Sequence, residues 1–339
     1  MQSSDAPTCH AESTPFEVQV VAPARLHFGF IDLHGGLGRC FGSLGMAIDR
    51  PTLRLRARRA ARTEVSGGGA ERVERALAAM RETFGIRSPV QIQVDESIPA
   101  HAGLGSGTQL ALACARAVCM LNGVEASIPE LARCLERGAR SGIGSGVFEH
   151  GGFVVDGGRG SLDLPPPVIS RLAFPEDWRV LLLFDPTRTG LHGEREAAAF
   201  RDLPRFPERR AEQLARSVLM SLLPALAERR IGEFGAALTE LQQAIGDHFA
   251  PAQGGRYAST KVEAALARLA VRGVAAYGQS SWGPTGFAIV DSQQAADEAH
   301  KFLLELPEAQ GLSIQLVRGC NRGAQCGASF AAAGQAVAA

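Results

Sequence analysis

Between Pro99 and Gln109 the chain reads Pro-Ala-His-Ala-Gly-Leu-Gly-Ser-Gly-Thr-Gln and runs straight into an apolar stretch. Gly103, Gly105 and Gly107 flank Leu104 and Ser106 and let the backbone take positive φ and approach a ligand closely. A helix opening there offers unpaired N–H groups and the positive end of its dipole. Ser106 and Thr108 add hydroxyl donors, and Gln109 an amide. This chemistry suits a phosphate or pyrophosphate. No G-x-x-x-x-G-K occurs, and the Pro99 and His101 lead-in differs from the strand-to-helix turn of a dinucleotide fingerprint. The plain alternative is a loop that caps a core helix.

Three further segments carry reactive side chains. Ala22-Pro-Ala-Arg-Leu-His-Phe-Gly-Phe-Ile-Asp32 holds Arg25, His27 and Asp32, and Arg140-Ser-Gly-Ile-Gly144 includes Ser141 and Gly142. Gly278-Gln-Ser-Ser-Trp-Gly-Pro-Thr-Gly286 contains Ser280, Ser281 and Trp282. Asp185–Glu194 follows an apolar run, a place where loops often carry function, so Arg188, His192 and Glu194 are candidate substrate contacts. The alternative there is a turn ending in a helix cap.

These segments need a scaffold. Strands are expected at Phe16–Ala22, Thr52–Arg58 (with clear alternation), Val90–Val94, Phe153–Asp156, Val180–Phe184 (a buried apolar run), Val274–Tyr277, Gly286–Val290 and Ser313–Arg318. Helices are expected at Ala70–Phe84, Thr108–Leu121, from Pro129 toward Gly138, and at about Gly193–Phe200, Pro207–Glu228, Ile231–His248, Ser259–Val271 and Ala295–Leu306. Residues 1–15 read as a loose polar tail. The mixture without a strict βαβ rhythm predicts an α+β protein of two halves, changing over between 157 and 178. Alternating arginines in Arg54–Arg62 read as a solvated strand face.

The 339 residues suit about two domains at the usual ~100–200 residues each. Hydrophobic residues at 45% and charged residues at 21% argue against disordered, collagen-like or coiled-coil classes. Lys+Arg and Asp+Glu both total 35, so no global field favours nucleic acid or anionic lipid. Lys261 and Lys301 are the only lysines, so anion binding must rest on guanidinium and backbone N–H groups. Seven scattered cysteines without a C-x-x-C pair fit neither a disulfide framework nor a zinc site. With no signal-like N-terminus and no long apolar run, a soluble, cytoplasmic protein without membrane or nucleic-acid partners is expected.

The first, central and last motifs, in order and spacing over about residues 16–320, resemble those of the GHMP kinase superfamily. The resemblance implies an S5-domain-2-like N-terminal domain (16–165) carrying the phosphate loop and a ferredoxin-like C-terminal domain (166–339). Two positions depart from the kinase pattern. Arg25 stands where the kinases carry Lys, and Gly144 stands where several place a catalytic Asp. Glycine cannot orient or deprotonate an attacking hydroxyl, so the fold is kept while the kinase chemistry is lost.

Arg25-Leu-His27, His101 in the central motif, Arg140–Gly144 and Gly278–Gly283 together resemble the β-ribofuranosylaminobenzene 5′-phosphate synthase branch of that superfamily. The resemblance implies condensation of phosphoribosyl pyrophosphate with 4-aminobenzoate (or 4-hydroxybenzoate) in tetrahydromethanopterin biosynthesis, with release of pyrophosphate and CO₂, by a homodimer. The Ala-, Gly- and Arg-rich composition leans toward a methylotroph and 4-aminobenzoate. On this reading the Gly103–Thr108 loop takes one anion of the donor, and Arg25 or Arg140 the other. Mg²⁺ would bridge the pyrophosphate, with Asp32 and then Glu149 and Glu194 as candidate carboxylates for the ion or for charge at C1. His27 and His101 act on the amino proton or bind the carboxylate, or else are structural imidazoles. Trp282 stacks on the acceptor or fills core. An ATP-dependent small-molecule kinase and an inactive phosphometabolite sensor are the alternatives.

Overall fold

The computed structural model describes residues 14–330. Residues 1–13 of the expected tail, Cys9 among them, lie outside the described residues. In chain order the strands are β1 (Glu17–Asp32), β2 (Phe41–Arg59), β3 (Glu64–Gly67), β4 (Val90–Glu96), β5 (Phe153–Asp156), β6 (Val168–Leu172), β7 (Arg179–Phe184), β8 (Ala276–Gln279), β9 (Gly286–Val290), β10 (Ser313–Val317) and β11 (Gln325–Ser329). The helices are α1 (Ala70–Phe84), α2 (Ser106–Asn122), α3 (Ile128–Cys134), α4 (Ile143–His150), α5 (Gly193–Asp202), α6 (Glu208–Ser217), α7 (Leu223–Ala227), α8 (Ile231–Gln253), α9 (Thr260–Val271) and α10 (Gln293–Glu305). A π-helical turn, Val218–Leu222, joins α6 to α7, so the expected Pro207–Glu228 helix is nearly continuous.

One sheet runs β11-β1-β2-β4-β3, with β5 on β2 and β6 on β5. The other runs β10-β7-β9-β8 with every pair antiparallel. Helices separate β7 from β8 and β9 from β10, which is the ferredoxin-like β-α-β-β-α-β arrangement. The expected α+β class is observed. Val168–Leu172 and Gln325–Ser329 both pair in the first sheet, so the crossover between sheets falls after Leu172 and the chain returns at its end.

β1 and β2 are far longer than alternation indicated. Pro23 and Gly29 read as breakers, but the ladder absorbs them as register shifts at Pro23/Ala24 and His27/Gly29. The whole first motif therefore lies on a strand. Arg54 and Arg56 pair across to Glu96 and Asp95 at 3.3 and 2.8 Å, as the solvated face requires. Leu110–Ala115 of α2 are all buried, so this helix is apolar on every side and forms the centre of the first half. No helix among the described residues is long and apolar enough to cross a membrane.

The glycine-rich stretch after Ser141 folds as α4 because its glycines permit close packing. A Cβ on Gly146 would stand 2.8 Å from Val168 and 2.9 Å from Val154. Opposite, a Cβ on Gly45 would stand 2.3 Å from the Leu26 carbonyl oxygen and 2.6 Å from Ile143 Cγ2. Gly45 pairs with His27, so this contact seats the start of α4 beside the first motif. Gly45→Ala is expected to cost about 1–3 kcal/mol by overpacking. Gly327→Ala, with nothing within 4 Å of the new methyl, should change stability by less than about 0.5 kcal/mol. Urea unfolding of the two variants checks the contrast.

Candidate functional site

The three motifs meet at the loop before α2. The Arg25 amide donates to the Leu104 carbonyl at 3.1 Å, and its guanidinium donates to the Gly103 carbonyl. The Ser280 hydroxyl donates to the same Gly103 oxygen at 2.6 Å and accepts from the His27 amide at 3.0 Å. The Ser281 amide donates to the His27 carbonyl at 3.0 Å. Gly103 holds φ 76°, and a Cβ there would lie 2.3 Å from the Ser280 carbonyl, so only glycine fits. Burial lowers the Arg25 pKa to about 10, against the opposing charge of Glu196.

Gly105 begins α2 at φ 79° with no side-chain cap. The Thr108 and Gln109 amides bond the Gly105 carbonyl, each at 3.1 Å, so the preceding Ser106 and Gly107 amides are the free donors of this helix end. Leu104 is buried and anchors the loop, while Ser106 and Thr108 remain partly exposed. The fully buried Gln109 donates to the Gly144 carbonyl at 2.8 Å, and its own carbonyl oxygen has no partner. A Cβ on Gly144 would stand 2.9 Å from Thr108 Cγ2. A side chain here would press on the first turn of α2.

His27 is buried and heads a hydrogen-bonded chain. Its Nδ1 accepts from the Gly29 amide at 3.2 Å, which puts the proton on Nε2, and Nε2 donates to Ser141 Oγ at 3.1 Å. Ser141 Oγ lies 2.7 Å from Ser43 Oγ, which donates to Asp156. Asp156, fully buried, also accepts from the amides of Gly142 and Gly158 at 2.9 Å and of Ser43 at 3.2 Å. Burial pushes the Asp156 carboxyl up and these donors oppose the shift. Burial, with the Arg25 charge behind it, lowers the His27 pKa from 6.5 to about 3. His27 is thus a neutral donor that orients Ser141 at the start of α4.

His101, at φ 57°, stacks on His192 with ring centroids 3.8 Å apart. Its Nε2 accepts from Arg72 at 3.2 Å, and its carbonyl accepts from the Gly190 amide at 3.1 Å. Burial, then the His192 and Arg72 charges, holds the His101 pKa below the ordinary value. The 185–192 segment is thereby tied to the loop, although Arg188 itself is exposed. On the other side the Arg140 guanidinium lies 4.5 Å over the Phe200 ring and 3.4 Å from Glu196. Trp282 is buried, stacks on Phe249 at 4.2 Å and meets Phe200 edge-on, so it fills an aromatic cluster.

The expected carboxylates stand apart from this centre. Asp32 Oδ1 accepts from the His34 and Gly35 amides at 2.8 and 2.9 Å, closing its own turn. Glu149 is exposed at the end of α4, 3.5 Å from His150, and Glu194 is exposed on α5. Among the described residues no three His, Cys, Asp or Glu side chains converge as a metal site. Asp32 and Glu149 are each a lone carboxylate, so either would hold Mg²⁺ only together with the oxygens of a bound phosphate. The acid that does meet the motifs is Glu196, two residues on from Glu194 and so on the opposite face of α5. Sequence reasoning missed it because helix phase could not be fixed at α5. It also missed Asp156, whose signal is a lone carboxylate ending the strand Phe-Val-Val-Asp.

An unfolded imidazole titrates at 6.5 and folded His27 at about 3, so the unfolded chain takes up the proton first and stability falls as pH drops from 6.5 toward 3. His101 and His248 act in the same direction. His27→Gln should flatten that decline between about pH 4 and 7 by up to one proton, read from denaturant midpoints against pH.

Residues 71–152 match the GHMP kinases N terminal domain family, and residues 222–308 match the GHMP kinases C terminal family. A protein of Archaeoglobus fulgidus named beta-ribofuranosylphenol 5′-phosphate synthase is 35% identical over 290 residues, covering 81% of this chain and 88% of that protein. A protein of the same name from Methanothermobacter thermautotrophicus is 32% identical, covering 82% of this chain and 90% of its own. The crystal structure of homoserine kinase from Cytophaga hutchinsonii superposes with a TM-score of 0.63 at 19% identity, over 94% of this chain and 100% of that one, which shows the shared fold. By fold, motif order and these identities, the chain belongs to the β-ribofuranosylphenol 5′-phosphate synthase family of the GHMP kinase superfamily.

Proposed function

We propose that this chain transfers a phosphoribosyl group from phosphoribosyl pyrophosphate to the carboxyl-bearing ring carbon of a 4-hydroxy- or 4-aminobenzoate. The carrying observation is a complete phosphate loop whose first turn, at Thr108, occupies the space beside Gly144 where a phosphoryl-transfer acid would stand. The bond between C1 and the pyrophosphate oxygen breaks, and the pair leaves with pyrophosphate. The ring carbon bonds to C1, and the carbon–carboxylate bond then breaks, its pair restoring aromaticity as CO₂ departs. No proton leaves the attacked carbon, so a missing general base at Gly144 is tolerated.

Residue roles follow from placement. The free Ser106 and Gly107 amides with the Thr108 hydroxyl take one anion of the donor. Arg140, beside Phe200 and Glu196, takes the second, while Arg25 fixes the Gly103 carbonyl and with it the loop. Glu196 is the carboxylate whose charge reaches both arginines and is suited to stabilise the positive charge developing at C1. Mg²⁺ enters with the donor's pyrophosphate, and no step is routed through protein carboxylates on it. The names of the relatives carry a phenol, which favours a para-hydroxyl acceptor over the para-amino one that composition suggested. A cytoplasmic homodimer acting in tetrahydromethanopterin synthesis completes the reading.

Carboxyl-labelled 4-hydroxybenzoate or 4-aminobenzoate, with phosphoribosyl pyrophosphate and Mg²⁺, should release labelled CO₂. Folded protein that releases none with either acid, or that forms ADP from ATP with a small alcohol, would overturn this function. Glu196→Gln should lower kcat on the order of 10²-fold, with KM for the donor little changed, in steady-state CO₂ release. An unchanged kcat would remove Glu196 from the transition state.

A further inference from the structure

Arg137 stands where a structural arginine would be expected to have a partner, and it has none of the usual kind. It follows α3 in a tight turn, with Glu136 at φ 53° before it and Gly138 at φ 83° after it. The Arg137 amide is fixed by the Ala132 carbonyl at 2.7 Å, and a Cβ on Gly138 would strike Pro165 at 2.6 Å. This turn holds the side chain against the first turn of α2. Outside its own helix, the one heavy atom within 4 Å of a Cβ built on Gly107 is Arg137 Nη1, at 3.8 Å.

Arg25, the other arginine that lies inward at this loop, rests on the Gly103 carbonyl, and even the exposed Arg39 and Arg171 find carbonyl oxygens at Gly157, Gly158 and Asn321. Arg137 Nε is shut off from solvent with no hydrogen-bond partner. Among the described residues neither Arg137 nor Arg72 forms an ion pair, while Arg75 is taken by Glu71 at 2.8 Å. Burial, with Arg72 and Arg75 nearby, holds Arg137 below its ordinary pKa, and adjacent Glu136 only partly offsets this. Arg137 thus lies against the first turn of α2 without a counter-ion, and Arg72, also without one, stands near enough to repel it and reaches His101 of the same loop. Arg137 is only partly buried, but a donor shut off from solvent and left without a partner is unfavourable, and an anion at the start of α2 would supply one.

We propose that Arg137, seconded by Arg72, is the side-chain half of the anion site at the start of α2, and that it takes an inorganic-pyrophosphate-like group rather than a monophosphate. This rests on the reading of that loop as the donor's phosphate cradle. Two fixed guanidinium groups added to two amides and a hydroxyl match the charge of a pyrophosphate better than that of a single phosphate ester.

The test is calorimetric titration of the full chain with Mg²⁺-pyrophosphate and, separately, with ribose 5-phosphate. Wild type should bind pyrophosphate, and Arg137→Ala should weaken it at least tenfold, with Arg137→Lys intermediate. Ribose 5-phosphate affinity should change less than threefold. Arg133→Ala is the control: Arg133 is exposed on α3 and borders the open groove behind Arg137. An Arg137→Ala protein of unchanged melting temperature that binds pyrophosphate normally overturns the proposal and leaves the cradle standing. So does an equal loss in Arg133→Ala, which would mean diffuse attraction, or a loss confined to ribose 5-phosphate. Wild type that binds neither ligand overturns the cradle reading and this inference together. If Arg137→Ala does not fold, Arg137→Gln and Arg72→Gln carry the same comparison, and normal pyrophosphate binding by both overturns the proposal.

Discussion

The carbonyl oxygen of Gly103 accepts from two donors that reach it from opposite ends of the chain, the guanidinium of Arg25 and the hydroxyl of Ser280. Ser280 also receives the His27 amide, so one buried hydroxyl joins the first strand, the phosphate loop and the third motif. Each of these hydrogen bonds is worth only about 1 kcal/mol on average, or up to about 3 where a charged group takes part. Their effect is geometric. They set the angle at which α2 begins, and so where its free amides point. The long β1–β2 ladder, the glycine at 45 and the positive φ at Gly103 and Gly105 all serve that placement.

Beside the same loop Gly144 and Thr108 stand so close that a larger side chain at 144 would press on the start of α2. What remains at the site is rich in hydrogen-bond donors and guanidinium groups, with a single carboxylate, Glu196, set among them. His27, kept neutral by burial, and Asp156, kept in place by three amides, support α4 from beneath. Such a centre is suited to holding a polyanion still.

Much of this was legible in the residues. The glycine loop and its helix, and the three motifs that meet there, could be read because each depends on local backbone requirements. The extent of β1 and β2 could not, since Pro23 and Gly29 look like breakers until a partner strand accepts them as bulges. α4 was hidden for a related reason: its glycines disfavour a helix in isolation but admit Thr108, Val154 and Val168 at close range. The choice of Asp32 and Glu149 over Glu196 and Asp156 reflects tertiary proximity, which spacing along one chain does not encode. β11 carried no signal, because Gln-Cys-Gly-Ala-Ser has no apolar alternation and is held by backbone pairing alone.

That last strand has a consequence for how the molecule is assembled. Glu17 is hydrogen-bonded to a ladder whose other member, Ser329, is among the final described residues. The ferredoxin-like half is therefore a guest threaded into a host sheet whose two outer segments bracket it. During synthesis this edge of β1 stays open until residues 325–329 have left the ribosome. Closing so large a loop makes this a slow, late step. Until then the nascent protein carries an exposed strand edge, a ready template for pairing with another chain.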